Sequence, residues 1–143
     1  MGKVYEEKIN IFADSDILLD ILLKREPFYV SAINMFEAAK SGELNVYASA
    51  VCFTNIFYVL RRIAGNQKTK YAIKLLLDNI NILSEDEKIV KAALDSDFSD
   101  FEDAMQYYTA KKFNMKFIIT RNIKDFKVKD IPVMTADDFL KSL

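Results

Sequence analysis

Short apolar runs alternate with amphipathic stretches along this chain, and that alternation constrains its fold more than any other feature. Runs at residues 9–13, 44–48, 80–83, 116–120 and 131–134 have the length of strands. Between them apolar residues return at the helical period, as Ile17, Leu18, Ile21 and Leu22, as Ala32, Ile33, Phe36 and Ala39, as Phe53, Ile56, Phe57, Leu60 and Ile63, and as Ala72, Ile73, Leu76 and Leu77. Breaks at Arg25-Glu26-Pro27, Ser41-Gly42 and Gly65 separate the helices. Strands alternating with helices predict an α/β fold, a parallel sheet covered on both faces and joined by right-handed crossovers. With 143 residues, 51% of them hydrophobic, the chain fits one domain over residues 1–143 with room for a real core.

Composition narrows the chemistry. The chain has 0 His, which removes Ser-His-Asp and Cys-His catalysis, zinc sites of the HExxH kind and any histidine general base. Catalysis must rest on carboxylates, Lys, Tyr or a metal held by oxygen ligands, a set that suits Mg²⁺ or Mn²⁺ rather than zinc. The single Cys52 allows no intramolecular disulfide and is expected to be a half-buried structural thiol. A net charge of −1 gives no global basic field, so any contact with nucleic acid must be local. The charged start, residues 1–10, is unlike a signal segment, and no apolar run nears the roughly 20 residues of a membrane span. A cytoplasmic protein is expected.

The acidic residues cluster at element boundaries. Residues 9–23, INIFADSDILLDILL, predict a buried strand, an acidic turn and a helix, which places Asp14 at the carboxyl end of a strand, where open α/β sheets bind ligands. Asp14 then has two readings, helix cap or catalytic ligand. Ser49 is expected to cap the long third helix and Thr135 the last one. Ser84 to Glu87 and the pair Ser99/Glu102 read as capping boxes, which would account for Glu85 and Glu102 by helix initiation alone. Asp100 and Asp103 lie one turn apart at a helix start, and Asp125 follows the fourth strand. Carboxylates gathered from these segments would repel and hold their protons unless a cation neutralised them. A divalent ion there can activate water and offset charge in a phosphoryl displacement. Thr120, Arg121 and Lys124 flank the same strand exit, the two cations as candidate phosphate contacts. Glu37 and Arg61-Arg62 read as solvated, and Phe53, Phe57, Tyr58, Tyr107 and Tyr108 as core or interface aromatics rather than stacking platforms.

The segments IFADSDILLDILLKREP, ASAVCFTNIFYVLRR, DFEDAMQYYTA and IITRNIKDF followed by IPVMTADDFL occur in that order over nearly the whole chain. As a set they resemble the PIN domain, and within it the VapC-like toxin ribonucleases of toxin-antitoxin systems. The resemblance implies a three-layer α/β/α sandwich around a parallel sheet of about five short strands. It also implies a homodimer, RNA cleavage with Mg²⁺ or Mn²⁺, and a cognate antitoxin that covers the site. Asp14 matches the family's first-strand aspartate and Asp103 the helix aspartate, with Asp100 as helper. Two positions depart from the pattern. Asn55 stands where many members carry glutamate, and Asn122 where Thr-Arg-Asp is common. Asparagine can orient water or coordinate weakly but adds no charge; Asp125 is the residue that can supply it. The ligand set is therefore Asp14, Asp100, Asp103 and Asp125, with Asn55, Thr120 and Asn122 auxiliary. Two other readings stand beside this one. The departures fit a catalytically degenerate PIN-like module that binds RNA or protein. Asp14-Ser15-Asp16 also resembles the start of a haloacid-dehalogenase-type phosphatase, although Leu18 and the helical position of Asp137-Asp138 do not suit it.

Overall fold

Neighbouring residues of a strand point to opposite faces of its sheet, so a run apolar on both faces must be buried on both. Residues 9–13 meet that condition. In the computed structural model, which describes residues 8–143, they form β1 (Ile9–Ala13), with Ile11, Phe12 and Ala13 fully buried. Most of the charged start therefore lies outside the described residues. The other strands are β2 (Leu44–Ser49), β3 (Ile80–Leu83), β4 (Phe117–Ile119) and β5 (Val133–Met134). They build one five-stranded sheet in the order β3-β2-β1-β4-β5, with every pairing parallel. The register sets Ile11 beside Val46 and Phe117, and Ala13 beside Ile119.

Helices α1 (Ser15–Leu23), α2 (Tyr29–Lys40), α3 (Ala50–Ala64), α4 (Asn66–Leu77) and α7 (Ala136–Ser142) pack on the face carrying Ile11, Ala13 and Val46. Helices α5 (Glu87–Leu94) and α6 (Phe101–Lys112) cover the face carrying Phe12 and Ile118. The result is the predicted three-layer α/β/α sandwich. Gly65 ends α3 and starts α4 at φ 82°, a backbone region in which a side chain is strained. The last two strands are shorter than their apolar runs, although the ladder reaches past them: Ile118 donates its amide to the Pro132 carbonyl and Thr120 its amide to the Met134 carbonyl, both at 3.0 Å. No described helix is long and apolar enough to cross a membrane.

Several local expectations change. Ser49 is the N-cap residue of α3 but makes no capping bond with its side chain; its hydroxyl donates to Glu85. Neither capping box forms. The cap of α5 is Asp86, which accepts from the Ile89 amide at 3.0 Å, and that of α6 is Asp100, which accepts from the Asp103 amide at 2.9 Å. Starting the helices at these aspartates satisfies amide groups that would otherwise be free and releases Glu85 and Glu102 toward the carboxyl edge of the sheet. Thr135 caps α7 as expected. Cys52 is fully buried rather than half-buried.

Phe139 anchors α7 against the sheet; it is fully buried, its ring edge-on to Phe117 at 5.4 Å. Phe139→Ala leaves a cavity there and should cost roughly 3–5 kcal/mol, read as a lower denaturant midpoint at unchanged slope. A loss below about 1 kcal/mol would mean that α7 is not needed to close the core.

Candidate metal-ligand cluster

The sheet order places β2 and β3 on one side of β1, and β4 and β5 on the other. The chain thus reverses direction across the sheet between β1 and β4, and the crevice at such a switch is where open α/β sheets bind ligands. Asp14 leaves β1 and Thr120 leaves β4 at that point. The Asp14 amide donates to the Ile119 carbonyl at 3.0 Å, which extends the ladder by one bond and fixes where the side chain starts.

Asp14 is 3% exposed, and although it is the N-cap residue of α1 its carboxylate makes no capping bond. Asp14 therefore does not cap α1 through its side chain. Thr120, fully buried, donates its hydroxyl to Asp14 Oδ2 at 2.7 Å, and the Asn122 amide donates to Thr120 Oγ1 at 3.0 Å. Ser15 Oγ lies 3.2 Å from Asp14 Oδ1 and 3.1 Å from Glu102 Oε1. A hydroxyl has one proton, so it donates to one of these carboxylates at a time. Buried Gln106 accepts from the Ser15 amide at 3.2 Å, while its Nε2 has no hydrogen-bond partner among the described residues. Burial, and then the charge of Asp16, push the Asp14 carboxyl above its ordinary range, offset in part by the hydrogen bonds from Thr120 and Ser15.

Helix α6 brings the second group of carboxylates. Asp103 is pushed up to about 7, first by burial and then by the facing charges of Asp100, Asp14, Asp125 and Glu102. Glu102 is raised by burial and by Asp14, Asp100 and Asp16, against the Ser15 hydrogen bond. Asp14, Asp100, Asp103, Asp125 and Glu102 therefore share one field, to which Asp16, beside Arg25, adds its charge. Glu102 is the member that the capping pattern concealed. A hydrophobic helix start that already has an aspartate cap leaves its next acid without a local partner, and that was the available signal. Glu85 stands further off, held by Ser49; burial first, and then the charges of Glu102, Asp14 and Glu85, push the Cys52 thiol well above its usual pKa.

The auxiliary residues divide. Thr120 joins the cluster. Asn122 is exposed and gives its side-chain amide to Asp16 at 2.8 Å, and Asn55 lies exposed on α3. Arg121 turns to the other side of the strand exit. Its guanidinium lies 3.7 Å from fully buried Asp20 and 4.4 Å from the centre of the Phe28 ring. Asp20, bonded to Arg25 at 2.8 Å, was not expected; an acid set among Leu18, Leu19 and Leu22 was its signal. Lys124 is exposed beside Asp125. Glu37 is exposed and Tyr107 buried, as read, whereas Tyr58 is 46% exposed with the Arg62 guanidinium 4.6 Å above its ring.

Among the described residues no three Asp, Glu or Cys side chains converge closely enough to enclose an ion. The donor chemistry nonetheless fits a hard divalent cation. It is oxygen-only, its charges are unbalanced by any Lys or Arg pair, and Asp100 and Asp125 are exposed and unconfined by packing.

A family model described as PIN domain matches residues 10–124. The ribonuclease VapC1 of Aquifex aeolicus is 28% identical over 135 residues, covering 91% of this chain and 92% of that protein. Among solved structures, VapBC2 of Rickettsia felis bound to a promoter DNA fragment aligns with a TM-score of 0.69 at 15% identity, over 87% of this chain and 97% of that one. VapC20 of Mycobacterium tuberculosis, a toxin that cleaves the sarcin-ricin loop, aligns with a TM-score of 0.60 at 16% identity, over 76% of this chain and 86% of that one.

The crowding should be visible in stability without metal. Below pH 3.8 Asp103 is protonated folded or unfolded; between 3.8 and about 7 the unfolded chain releases the proton that the fold retains, so stability falls as pH rises. Asp103→Asn removes that loss. In chelator-containing buffer it should raise stability at pH 8 by roughly 1 kcal/mol after solvent screening, and leave it unchanged at pH 4. Parallel pH profiles for the two proteins would show that Asp103 is not under this repulsion.

Proposed function

The chain belongs to the PIN domain family, and from that premise we propose that it is a Mg²⁺- or Mn²⁺-dependent endoribonuclease, the toxin of a toxin-antitoxin pair. One observation carries the reading: a buried aspartate at the β1/β4 switch point faces carboxylates crowded enough to raise Asp103 to about 7. The resemblance to a curated ribonuclease and to toxin structures solved with antitoxins supports the class of reaction and the class of partner. The whole of residues 1–143 is taken as one such domain. The family match removes the ground for the dehalogenase-type phosphatase, and Asp16, the acid-base of that reading, is occupied by Asn122 and lies 3.9 Å from Arg25.

The chain's residues divide the work. Asp14 and Asp103, with Asp100 and Asp125, would hold the ion, which when bound polarises water and offsets charge on the phosphate. Thr120 and Ser15 fix the Asp14 carboxylate from both of its oxygens, so that the ligand is in place before substrate arrives. Glu102, its carboxyl raised above the ordinary range first by burial, shares the Ser15 hydroxyl with Asp14 and so helps to position that carboxylate. Lys124, on the turn that carries Asp125, is placed to meet a phosphate; Arg121 is engaged with Asp20 and Phe28 and is not free to do so. Exposed Tyr58 and Ile63 on α3, with Tyr71 and Leu75 on α4, give an apolar surface suited to a second copy, which supports a homodimer.

The test is cleavage of RNA by the purified protein with Mn²⁺. Asp14→Asn should lower the rate at least 100-fold and Thr120→Val about tenfold, both remaining folded. Wild-type protein that binds RNA but leaves it intact at high enzyme and metal concentration would replace the nuclease with the degenerate binding module.

A further inference from the structure

A cleft of about 980 Å³ opens between the loop joining α5 to α6, the outer face of α6 and the segment that follows β4. That is at the large end of the roughly 300–1,000 Å³ found for ligand sites. One wall is aromatic. Phe98 stacks on Tyr107 at 5.4 Å with 30° between the rings, and Tyr108 meets Tyr107 edge-on at 4.9 Å. Tyr107 is buried and donates its hydroxyl to Asp130 at 2.7 Å, so the wall is braced from behind. Phe98 and Tyr108 stay half-buried in front of it. The lining also carries Lys124 and Lys127, both exposed and without an ion pair among the described residues, together with the acids Asp97 and Asp125. Asp125 lines the cleft and also contributes to the charge felt by Asp103, so the cleft runs into the carboxylate cluster.

Resting on the nuclease reading, we propose that this cleft binds an unpaired nucleotide of the RNA substrate next to the scissile phosphate, its base against Tyr108 and Phe98 and its backbone phosphate on Lys124 and Lys127. The occupant follows from the lining. A half-exposed, rigid aromatic surface takes the flat face of a base with little loss of side-chain freedom, and unpaired lysines in the same lining take a backbone phosphate. A base inside a duplex has both faces covered by its neighbours, so the cleft selects single-stranded segments and loops over helical RNA. Continuity through Asp125 fixes the polarity of the arrangement: phosphodiester at the carboxylates, adjoining base in the cleft. The helical spacing of Tyr107 and Tyr108 suggested packing for both. It is right for Tyr107 and in part for Tyr108, which is half-buried and packs against the core of that face while also lining the cleft.

The experiment uses Asp14→Asn protein, which holds RNA uncut, and a short single-stranded RNA carrying 2-aminopurine, whose fluorescence is quenched by stacking. Binding should quench the probe. Tyr108→Leu in that background should abolish the quenching and weaken binding roughly tenfold, as loss of one base-aromatic stack does, while Tyr108→Phe restores both. Lys127→Ala, a surface change that leaves folding intact, should weaken binding and lower the salt dependence by about one phosphate contact. In active protein both variants should raise KM with kcat within about twofold. If wild-type protein cleaves RNA and these variants leave quenching, binding and KM unchanged, the cleft is not the nucleotide site. Wild-type protein that neither cleaves nor binds RNA would overturn the nuclease reading itself.

Discussion

Mutual repulsion among carboxylates around one buried aspartate is the constraint on which the remaining features of this molecule depend. Asp14 sits at the carboxyl end of the central strand with 3% of its surface exposed, and placing a carboxylate there costs hydration that Thr120 and Ser15 return only in part. Adding Asp103, Asp100, Asp125 and Glu102 to the same field increases the cost. A fold that served stability alone would have apolar or paired side chains at this edge. The proposed cation site gives the arrangement a reason, and the sheet order explains its position, because β1 and β4 leave the sheet side by side at the one place where the chain changes direction.

The local order of elements was legible because burial writes itself into periodicity. The run at residues 9–13 is apolar on both faces of its strand, and the helices carry their stripes at the 3.6 period, so the α/β class followed from sequence. What sequence missed were contacts that outbid local patterns. Ser99 and Glu102 have the spacing of a capping box, yet Asp100 takes the cap and Glu102 turns to Ser15, 87 residues away. Ser49 abandons its cap for Glu85 in the same manner. Arg121 follows a strand exit beside the cluster and was expected to face substrate; the buried charge of Asp20 and the ring of Phe28 draw it elsewhere. Each miss involves a polar group whose tertiary partner is a buried or half-buried opposite, an interaction stronger than a surface cap.

The two asparagines acquire a physical meaning from the same geometry. Asn55 is exposed and Asn122 is spent on Asp16, so neither adds charge to the cluster. Glu102 and Asp125 supply the carboxylates instead, from a helix start and from the turn after β4. That turn also carries Lys124 and borders the aromatic cleft, so the proposed chemistry and the proposed nucleotide site share one short segment.

The central claim is that the crowded carboxylates are arranged to be neutralised by a divalent cation. The direct measurement is the thermal unfolding midpoint titrated with Mn²⁺ at pH 8, for wild type and for Asp14→Asn. The account predicts a saturable rise in the wild-type midpoint, since an ion that binds only the folded state stabilises it by mass action, and a rise that is nearly absent in the variant. A wild-type midpoint that does not move with Mn²⁺, or that moves equally in Asp14→Asn, would contradict it.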